Sequence, residues 1–432
     1  MERFKCRTVI PGCRGNPRRS GCATKKGGNK RLKSETEAGA TMLADRLVPF
    51  SFGGMALAFL LTRDINKALS FIMVDFSCAL KLAMPLAVLS AMREAGTHRI
   101  SVKGGKYLEA VAEADTIVFD KTGTLTMAKP SVADVVAFGN EDPDEMLRLA
   151  ACLEEHYPHS MANAVVEEAK RRGLDHAEKH TRVEYVVAHG IASSIDGKRV
   201  IIGSRHFVFE DEGVKIPEGF ASRFEALPDT CSHLYLAIGG MLSAVILIDD
   251  PVRDEAADIV KKLHDAGIAR VVMMTGDSRK TAEAVARTIG VDECHAEVLP
   301  EDKAGFIRNE HEAGRKVIMV GDGVNDSPAL SEADAGIAIS AGAAIAREVA
   351  DITVSENDLA TLLILRELSV RLTGRIRRNY RFIITFNAAL IALGFAGILP
   401  NATGALLHNA STVGIALHSM TGLLPERPDD PV

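Results

Sequence analysis

Cysteine is sparse in this chain, and none of it falls in a Cys-x-x-Cys pair. Cys6, Cys13 and Cys22 are too far apart for a Cys-x-x-Cys metal pair. Cys78, Cys152, Cys231 and Cys294 are widely dispersed, which suits reduced thiols in a cytosolic or membrane setting rather than a disulfide framework. The opening stretch lacks apolar periodicity, and it lacks the apolar run of a signal peptide. Residues 1–34 hold 11 Lys and Arg but one acid, so they read as a basic, unstructured head. Contact of that head with anionic lipid is the other reading. The net charge of −6 hides this asymmetry: the remaining residues carry 40 basic against 56 acidic side chains, a net of −16. No nucleic-acid partner is expected. At 432 residues there is length for two or three domains.

What is present is led by Asp120. It closes the apolar run Thr116-Ile117-Val118-Phe119 and opens Asp120-Lys121-Thr122-Gly123-Thr124-Leu125-Thr126. A strand that ends on a carboxylate and passes into a tight polar turn presents that carboxylate where ligands bind at a sheet edge. A plain surface turn is the bland alternative. The heptapeptide resembles the phosphorylation loop of P-type ATPases, ion pumps that pass through an aspartyl-phosphate. A carboxylate can attack the terminal phosphoryl of ATP and divide one hard transfer into two easier ones. Phosphatases of the aspartate-nucleophile fold usually carry a second acid two positions later. Thr122 has no useful acidity, so a phosphoenzyme here is expected to persist.

Further strand-then-polar units follow. Arg270–Met274 leads into Thr275-Gly276-Asp277, Leu299-Pro300-Glu301-Asp302 precedes Lys303, and 316–320 runs into Gly321-Asp322-Gly323-Val324-Asn325-Asp326. Each would place side chains at the carboxyl edge of one parallel sheet. A Mg²⁺ site is assigned to Asp120, Thr122, Asp322 and Asp326. Asp120 and Asp322 supply direct oxygen ligands, and Asp326 with Asn325 orients them. Lys303 and Thr275 neutralise and hydrogen-bond the transferring oxygens, and Lys121, Thr122, Gly276 and Asp277 complete the catalytic set. Taken alone, Asp326 reads as a helix N-cap. Together the units point to ATP and Mg²⁺ as cofactors.

Four apolar stretches, 42–61, 66–92, 382–399 and 403–424, approach the ~20 residues that cross a bilayer. Short links at 62–65 and 400–402 make them two hairpins. Arg93, Arg99, Lys103 and Lys106 follow the first; Arg371, Arg375, Arg377, Arg378 and Arg381 precede the second. Those clusters put the middle of the chain in the cytosol. Buried helices of a soluble domain are the alternative. The expected fold is an α/β HAD-like Rossmannoid phosphorylation domain with an inserted α/β nucleotide-binding domain, flanked by two transmembrane helical hairpins. The expected boundaries are 1–40 head, 41–92 hairpin, 93–130 phosphorylation domain, 131–246 insertion, 247–365 phosphorylation domain resumed, 366–426 hairpin and 427–432 tail. That describes a multi-pass integral protein of the plasma membrane, in contact with lipid.

The order hairpin, Asp120 loop, insertion, Gly321–Pro328 loop, hairpin looks like the C-terminal two-thirds of heavy-metal-transporting P-type ATPases, over residues 40–424. The resemblance implies ATP binding by the insertion, through His159, Gly190 and Gly203. Ser160 and Ala188 depart from the family's His-Pro and Gly-x-Gly pattern, and His159 alone reads as an ordinary helix-start residue. Where relatives carry Cys-Pro-Cys, this chain keeps only Cys78. Asp75, Cys78, Lys81 and Met84 recur every three residues and are expected on roughly one helix face. An acid and a lysine inside a membrane helix mark an ion path or pair with each other; in the bland reading Lys81 snorkels and Cys78 packs. Asn387, His408 and the Ser411-Thr412 pair match family metal positions. This mixture suits a divalent transition metal, zinc or manganese, better than Cu(I). No Thr-Gly-Glu actuator motif occurs. The change of character at 35–42 is read as a truncated or misstarted frame, or one half of a split pump whose partner is the missing N-terminal half or actuator. ATP binding and autophosphorylation are expected without a completed cycle. The competing readings are a membrane-tethered phosphatase and a non-catalytic partner of a complete pump.

Overall fold

The computed structural model describes residues 7–8, 35–127, 130–155, 160–174, 184–186, 190–195, 197–228, 231–322, 326–339, 348–355 and 358–425. The chain divides into two compact units. One joins Met1–Asn16 to Asp115–Ala350, the other Pro17–Ala114 to Asp351–Val432.

The first unit is built on a parallel sheet. Thr116–Asp120 lies between Arg270–Met274 and Val317–Gly321; Glu293–Ala296 flanks the former and Ala335–Ile339 the latter, all parallel. These strands read as continuous apolar runs because helices cover both faces of such a sheet, leaving no wet side to impose alternation. Thr116–Asp120 and Val317–Gly321 are buried along their whole length. Val118, Val272, Met319, Ile307 and Leu330 share one core. Local chemistry sets the connecting helices. Arg279–Ile289 opens where Ser278 Oγ accepts from Thr281 N, and closes at Gly290, whose φ of +79° is the left-handed conformation that glycine favours. Pro300–Glu312 starts on proline, with the Asp302 carboxylate accepting from Leu299 N at 3.3 Å. Arg7–Thr8 adds a short parallel rung beside Glu293–Ala296, within the stretch expected to be unstructured.

An antiparallel sheet is set into this unit. Among the described residues its strand order is Ser131–Ala137, Met241–Asp249, Ser232–Ile238, Lys198–Gly203, Gly190–Ile195 and Glu184–Val186. Successive side chains of a strand point to opposite faces, so both faces can carry a core. Ile246 and Ile248 pack with Leu147, Leu153 and Val165; Val245 and Leu247 pack with Phe138, Phe207 and Tyr235. Two helices, Pro143–Glu154 and Ser160–Arg171, belong to this insertion. Ser131 pairs with Asp249, so the chain leaves the parallel sheet and returns to it at adjacent strand ends.

The second unit is mainly helical, with Glu35–Thr62, Ile65–Met73, Phe76–Thr97, Gly105–Glu113, Ala360–Phe395 and Asn401–Ser419, plus an antiparallel pair of Ile100–Val102 and Ile352–Val354. Two expectations change here. The helix expected over 66–92 breaks at Val74, because the Asp75 carboxylate accepts from Ser77 N at 2.9 Å and Cys78 N at 3.2 Å and so caps a new helix. Asp75, Cys78, Lys81 and Met84 do not share a face. A three-residue step falls about 60° short of a full turn, so three steps rotate by about half a turn. Cys78 and Lys81 are exposed while Met84 is buried. Lys81 pairs with Asp45 at 2.6 Å, not with Asp75.

Among the described residues, one helical stretch, Ile65–Thr97, is long and apolar enough to cross a bilayer; Val48–Thr62 is apolar but shorter. The other expected spans fall short of that test for reasons of composition. Ala360–Phe395 carries an arginine series through its middle, and Asn401–Ser419 interleaves Asn409, His408 and His418 with its apolar residues. Polar ties hold these helices together. Ser70 Oγ donates to Asn401 Oδ1 at 3.0 Å, Asn379 Nδ2 donates to Ser419 Oγ at 2.9 Å, and Glu94 accepts from Leu423 N at 2.8 Å.

Candidate active site

Asp120 ends its strand beside Met274, with Val320 opposite Phe119 on the other side. Thr275-Gly276-Asp277 and Asp322 leave the neighbouring strands at the same edge. Lys303 reaches into this edge from the first turn of its helix. Its Nζ donates to Asp120 Oδ1 at 2.5 Å and to Asp326 Oδ1 at 2.7 Å. All three side chains are buried. Burial, and then the nearby charge of Asp326, push the Asp120 carboxyl up to about 6, against the pull of Lys303 and Lys121. Burial works against the charge on Lys303, yet the two carboxylates outweigh it and hold the ammonium above its ordinary range. Burial also raises Asp326, and the charge of Asp322 adds to that push.

Asp326 Oδ2 is buried without a hydrogen-bond partner and lies against Gly321. A Cβ at 321 would collide with that oxygen, so the close approach requires glycine. Clustered carboxylates with an unsatisfied oxygen are the donor chemistry of a hard cation such as Mg²⁺. Among the described residues, however, no three His, Cys, Asp or Glu side chains are grouped closely enough to hold a metal ion. The Lys303 ammonium lies between Asp120 and Asp326. Asn325 lies outside the described residues.

The loop after Asp120 is a tight turn. Gly123 takes φ +75°, its N–H donates to Thr126 Oγ1 at 2.9 Å, and Thr126 N donates to Lys121 O at 3.2 Å. Thr122 is partly buried in this turn. The buried Arg253, absent from the expected set, holds the loop from outside: its Nε donates to Thr124 O at 2.7 Å and its backbone N–H to Leu125 O at 3.0 Å. The only trace of that role in the sequence is an arginine just after Asp249-Asp250-Pro251. Lys121 makes an ion pair with Asp277 and donates to Ser232 Oγ at 3.2 Å. Ser232 Oγ in turn donates to Asp277 Oδ1 at 3.0 Å. Burial would raise the Asp277 carboxyl, but Lys121 outweighs it and holds the carboxyl below its ordinary value. Thr275 is buried, its hydroxyl accepting from Asp277 N at 3.1 Å, while Gly276 is exposed at the tip.

In the inserted sheet, Gly190 and Gly203 face one another as a cross-strand pair. A Cβ on Gly190 would run into the Ile202 carbonyl and the Phe207 ring. His159 lies outside the described residues. In the helical unit, His408 Nδ1 and Asn387 Oδ1 are 3.2 Å apart and both side chains are buried, with Asn387 Nδ2 unpartnered. Ser411 Oγ donates instead to His408 O at 2.8 Å. Cys78 is an exposed free thiol.

The strand Thr116–Asp120, the Thr275–Asp277 tip, Lys303 and Asp326 all lie within residues 114–334, which a family model described as haloacid dehalogenase-like hydrolase matches. The chain belongs to the haloacid dehalogenase-like hydrolases. This hydrolase is also homologous to heavy-metal-exporting P-type ATPases. It is 38% identical over 377 residues to a zinc-exporting P-type ATPase of Mycobacterium marinum, which covers 87% of this chain and 51% of that protein. It is 38% identical to a manganese-exporting P-type ATPase of Mycobacterium bovis, over 87% of this chain and 52% of the relative. With a copper-transporting ATPase of Rhizobium meliloti it shares 37% identity over 83% of this chain and 42% of the relative. The chain thus spans about half the length of the curated relatives it matches. Among solved structures, a zinc-transporting PIB-type ATPase in its E2.Pi state superposes with a TM-score of 0.60 at 26% identity, covering 89% of this hydrolase and 62% of that chain. The catalytic domain of a CPx-ATPase superposes with a TM-score of 0.53 at 27% identity, covering 64% of this hydrolase and 98% of that chain.

Proposed function

We propose that this hydrolase transfers the γ-phosphoryl group of ATP to Asp120 and couples that step to movement of a divalent transition metal across a membrane. The observation that carries the reading is the buried Lys303 ammonium held between Asp120 and Asp326 at the carboxyl edge of the sheet. In the reaction an Asp120 oxygen attacks the γ-phosphorus, the bond to the β,γ-bridging oxygen breaks, and ADP leaves with that electron pair. Lys303 and Thr275 meet the equatorial oxygens, where charge stabilisation counts most. Lys121, held by Asp277, adds positive charge beside the nucleophile. Asp120 and Asp322 would hold Mg²⁺, an ion that one or two carboxylates suffice to bind, with Asp326, Asn325 and Thr122 assigned to support them; when bound it neutralises phosphate charge. The nucleotide is assigned to the inserted sheet, through Gly190 and Gly203, which pair across two strands, and through His159.

The metal path is assigned to the buried Asn387–His408 pair, with Ser411 and the Cys78 thiol as further donors; Asp75 caps its helix and Lys81 pairs with Asp45. Zinc and manganese suit these donors. The relatives named for zinc, manganese and copper are almost equally identical to the chain, so identity does not choose among them. The reading makes the chain a multi-pass plasma-membrane protein with two hairpins in lipid and its catalytic unit in the cytosol. It also calls for an actuator that delivers water to the acyl phosphate, supplied by another polypeptide or by further sequence.

The test is transfer of labelled γ-phosphate from Mg-ATP to the purified chain and to Asp120→Asn, with and without Zn²⁺ and Mn²⁺. An acid-stable, hydroxylamine-sensitive label on the wild type and none on the variant supports the proposal. No label under any condition, combined with rapid turnover of small phosphate esters, would replace it with a phosphatase.

A further inference from the structure

Next to Asp120 is a closed ring of three groups, the buried Lys121 and Ser232 and the partly buried Asp277. Lys121 and Asp277 pair through Asp277 Oδ2. Ser232 Oγ accepts from Lys121 Nζ at 3.2 Å and donates to Asp277 Oδ1 at 3.0 Å. A hydroxyl can accept and donate at once, so it bridges an ammonium and a carboxylate. Ser232 is itself buried. It differs from its partners in origin, being the first residue of strand Ser232–Ile238 in the inserted sheet.

Its backbone is fixed on both sides. Thr281 Oγ1 donates to Cys231 O at 3.2 Å, tying the preceding residue to the helix that follows Asp277. Ser232 itself pairs with Ile248, on the strand that returns toward Pro251 and Arg253. The inserted sheet therefore holds one hydroxyl in place between the catalytic lysine and its acid.

We propose that Ser232 is a positioning residue: its hydroxyl holds Lys121 against Asp277 beside Asp120 and thereby sets the rate of phosphoryl transfer. The inference deepens the proposed function and, for its rate readout, rests on that reading. Without the hydroxyl, Asp277 Oδ1 loses its donor and Lys121 an acceptor. Hydrogen bonds to charged groups are worth roughly a tenfold to hundredfold change in an equilibrium or rate.

The experiment compares full-length wild type with Ser232→Ala, Ser232→Cys and Ser232→Thr by two readouts. The first is the rate of γ-phosphate labelling against ATP concentration. The second is acetylation of Lys121 by acetic anhydride without nucleotide, read by mass spectrometry. The alanine and cysteine variants are expected to label at least tenfold more slowly at saturating ATP, with half-saturation unchanged. Their Lys121 should acetylate faster, and threonine, which keeps the hydroxyl, should restore both readouts. If alanine does not fold, the near-isosteric cysteine variant carries the comparison. Wild-type labelling in the cysteine variant, or threonine as impaired as cysteine, overturns the proposal. If the wild type takes no label, the proposed function fails separately, and Lys121 acetylation still decides the positioning role.

Discussion

Lys303 lies with two buried carboxylates on a single ammonium, and that geometry fixes what its loss must do. In Lys303→Met, Asp120 and Asp326 face one another without a counter-ion. Breaking a buried pair by removing one partner costs about 3–5 kcal/mol. The deficit should depend on pH. Asp120 already stands at about 6, above its ordinary value, so its burial favours folding at low pH and opposes it as pH rises through that value. Without Lys303 the two carboxyls rise further. Urea unfolding in detergent should therefore show a larger loss at pH 8 than at pH 5, and an equal loss at both would contradict this account. Gly321→Ala should push Asp326 off Lys303, because the new Cβ meets Asp326 Oδ2. Overpacking of that kind costs about 1–3 kcal/mol, and γ-phosphate labelling should fall with it. Neither consequence is written locally. Lys303 and Asp120 are 183 positions apart, and the glycine at 321 reads in sequence as part of a polar loop.

At the level of elements, caps and strand edges decide more than hydrophobic periodicity does. Asp75 opens the helix Phe76–Thr97 by accepting two backbone N–H groups. Asparagine caps about as well as aspartate, while alanine costs about 1 kcal/mol. Asp75→Asn should keep metal-stimulated labelling near wild type, and Asp75→Ala should lower the melting temperature. Loss of metal response in the asparagine variant would make Asp75 a ligand rather than a cap. On the strand Glu293–Ala296, hydrogen bonds from His295 and then Arg270 hold the Glu293 carboxyl down at about 2. A depressed carboxyl stabilises the fold above its unfolded value and loses that contribution as pH falls toward its folded one. Between pH 5 and pH 3 the wild type should lose more stability than Glu293→Gln, as read from unfolding midpoints. The central strands were legible, because 116–119, 270–274 and 316–320 are apolar runs that end in polar turns. The break at Val74 was not, because an apolar stretch around one acid reads equally well as a single long helix.

For the whole molecule, composition and site chemistry point the same way. A chain whose helices cross the bilayer should stay in the membrane pellet after alkaline carbonate and leave it only with detergent. Release by carbonate would return those helices to the reading of a soluble body. The sequence by itself marked Asp120 as the candidate nucleophile and the apolar runs 116–119, 270–274 and 316–320 as strands with polar tips, and these runs are neighbouring strands of one parallel sheet. These are local facts, because a carboxylate at the end of an apolar run needs no distant partner to be recognised. Tertiary structure alone decided which groups meet. It brought Lys303 to Asp120 and Asp326, Ser232 to Lys121 and Asp277, Arg253 to the nucleophile loop, and Lys81 to Asp45 instead of Asp75. The reason is electrostatic: a buried charge is tolerated only where a counter-charge or hydrogen-bond partner reaches it, and folding, not sequence spacing, sets that distance.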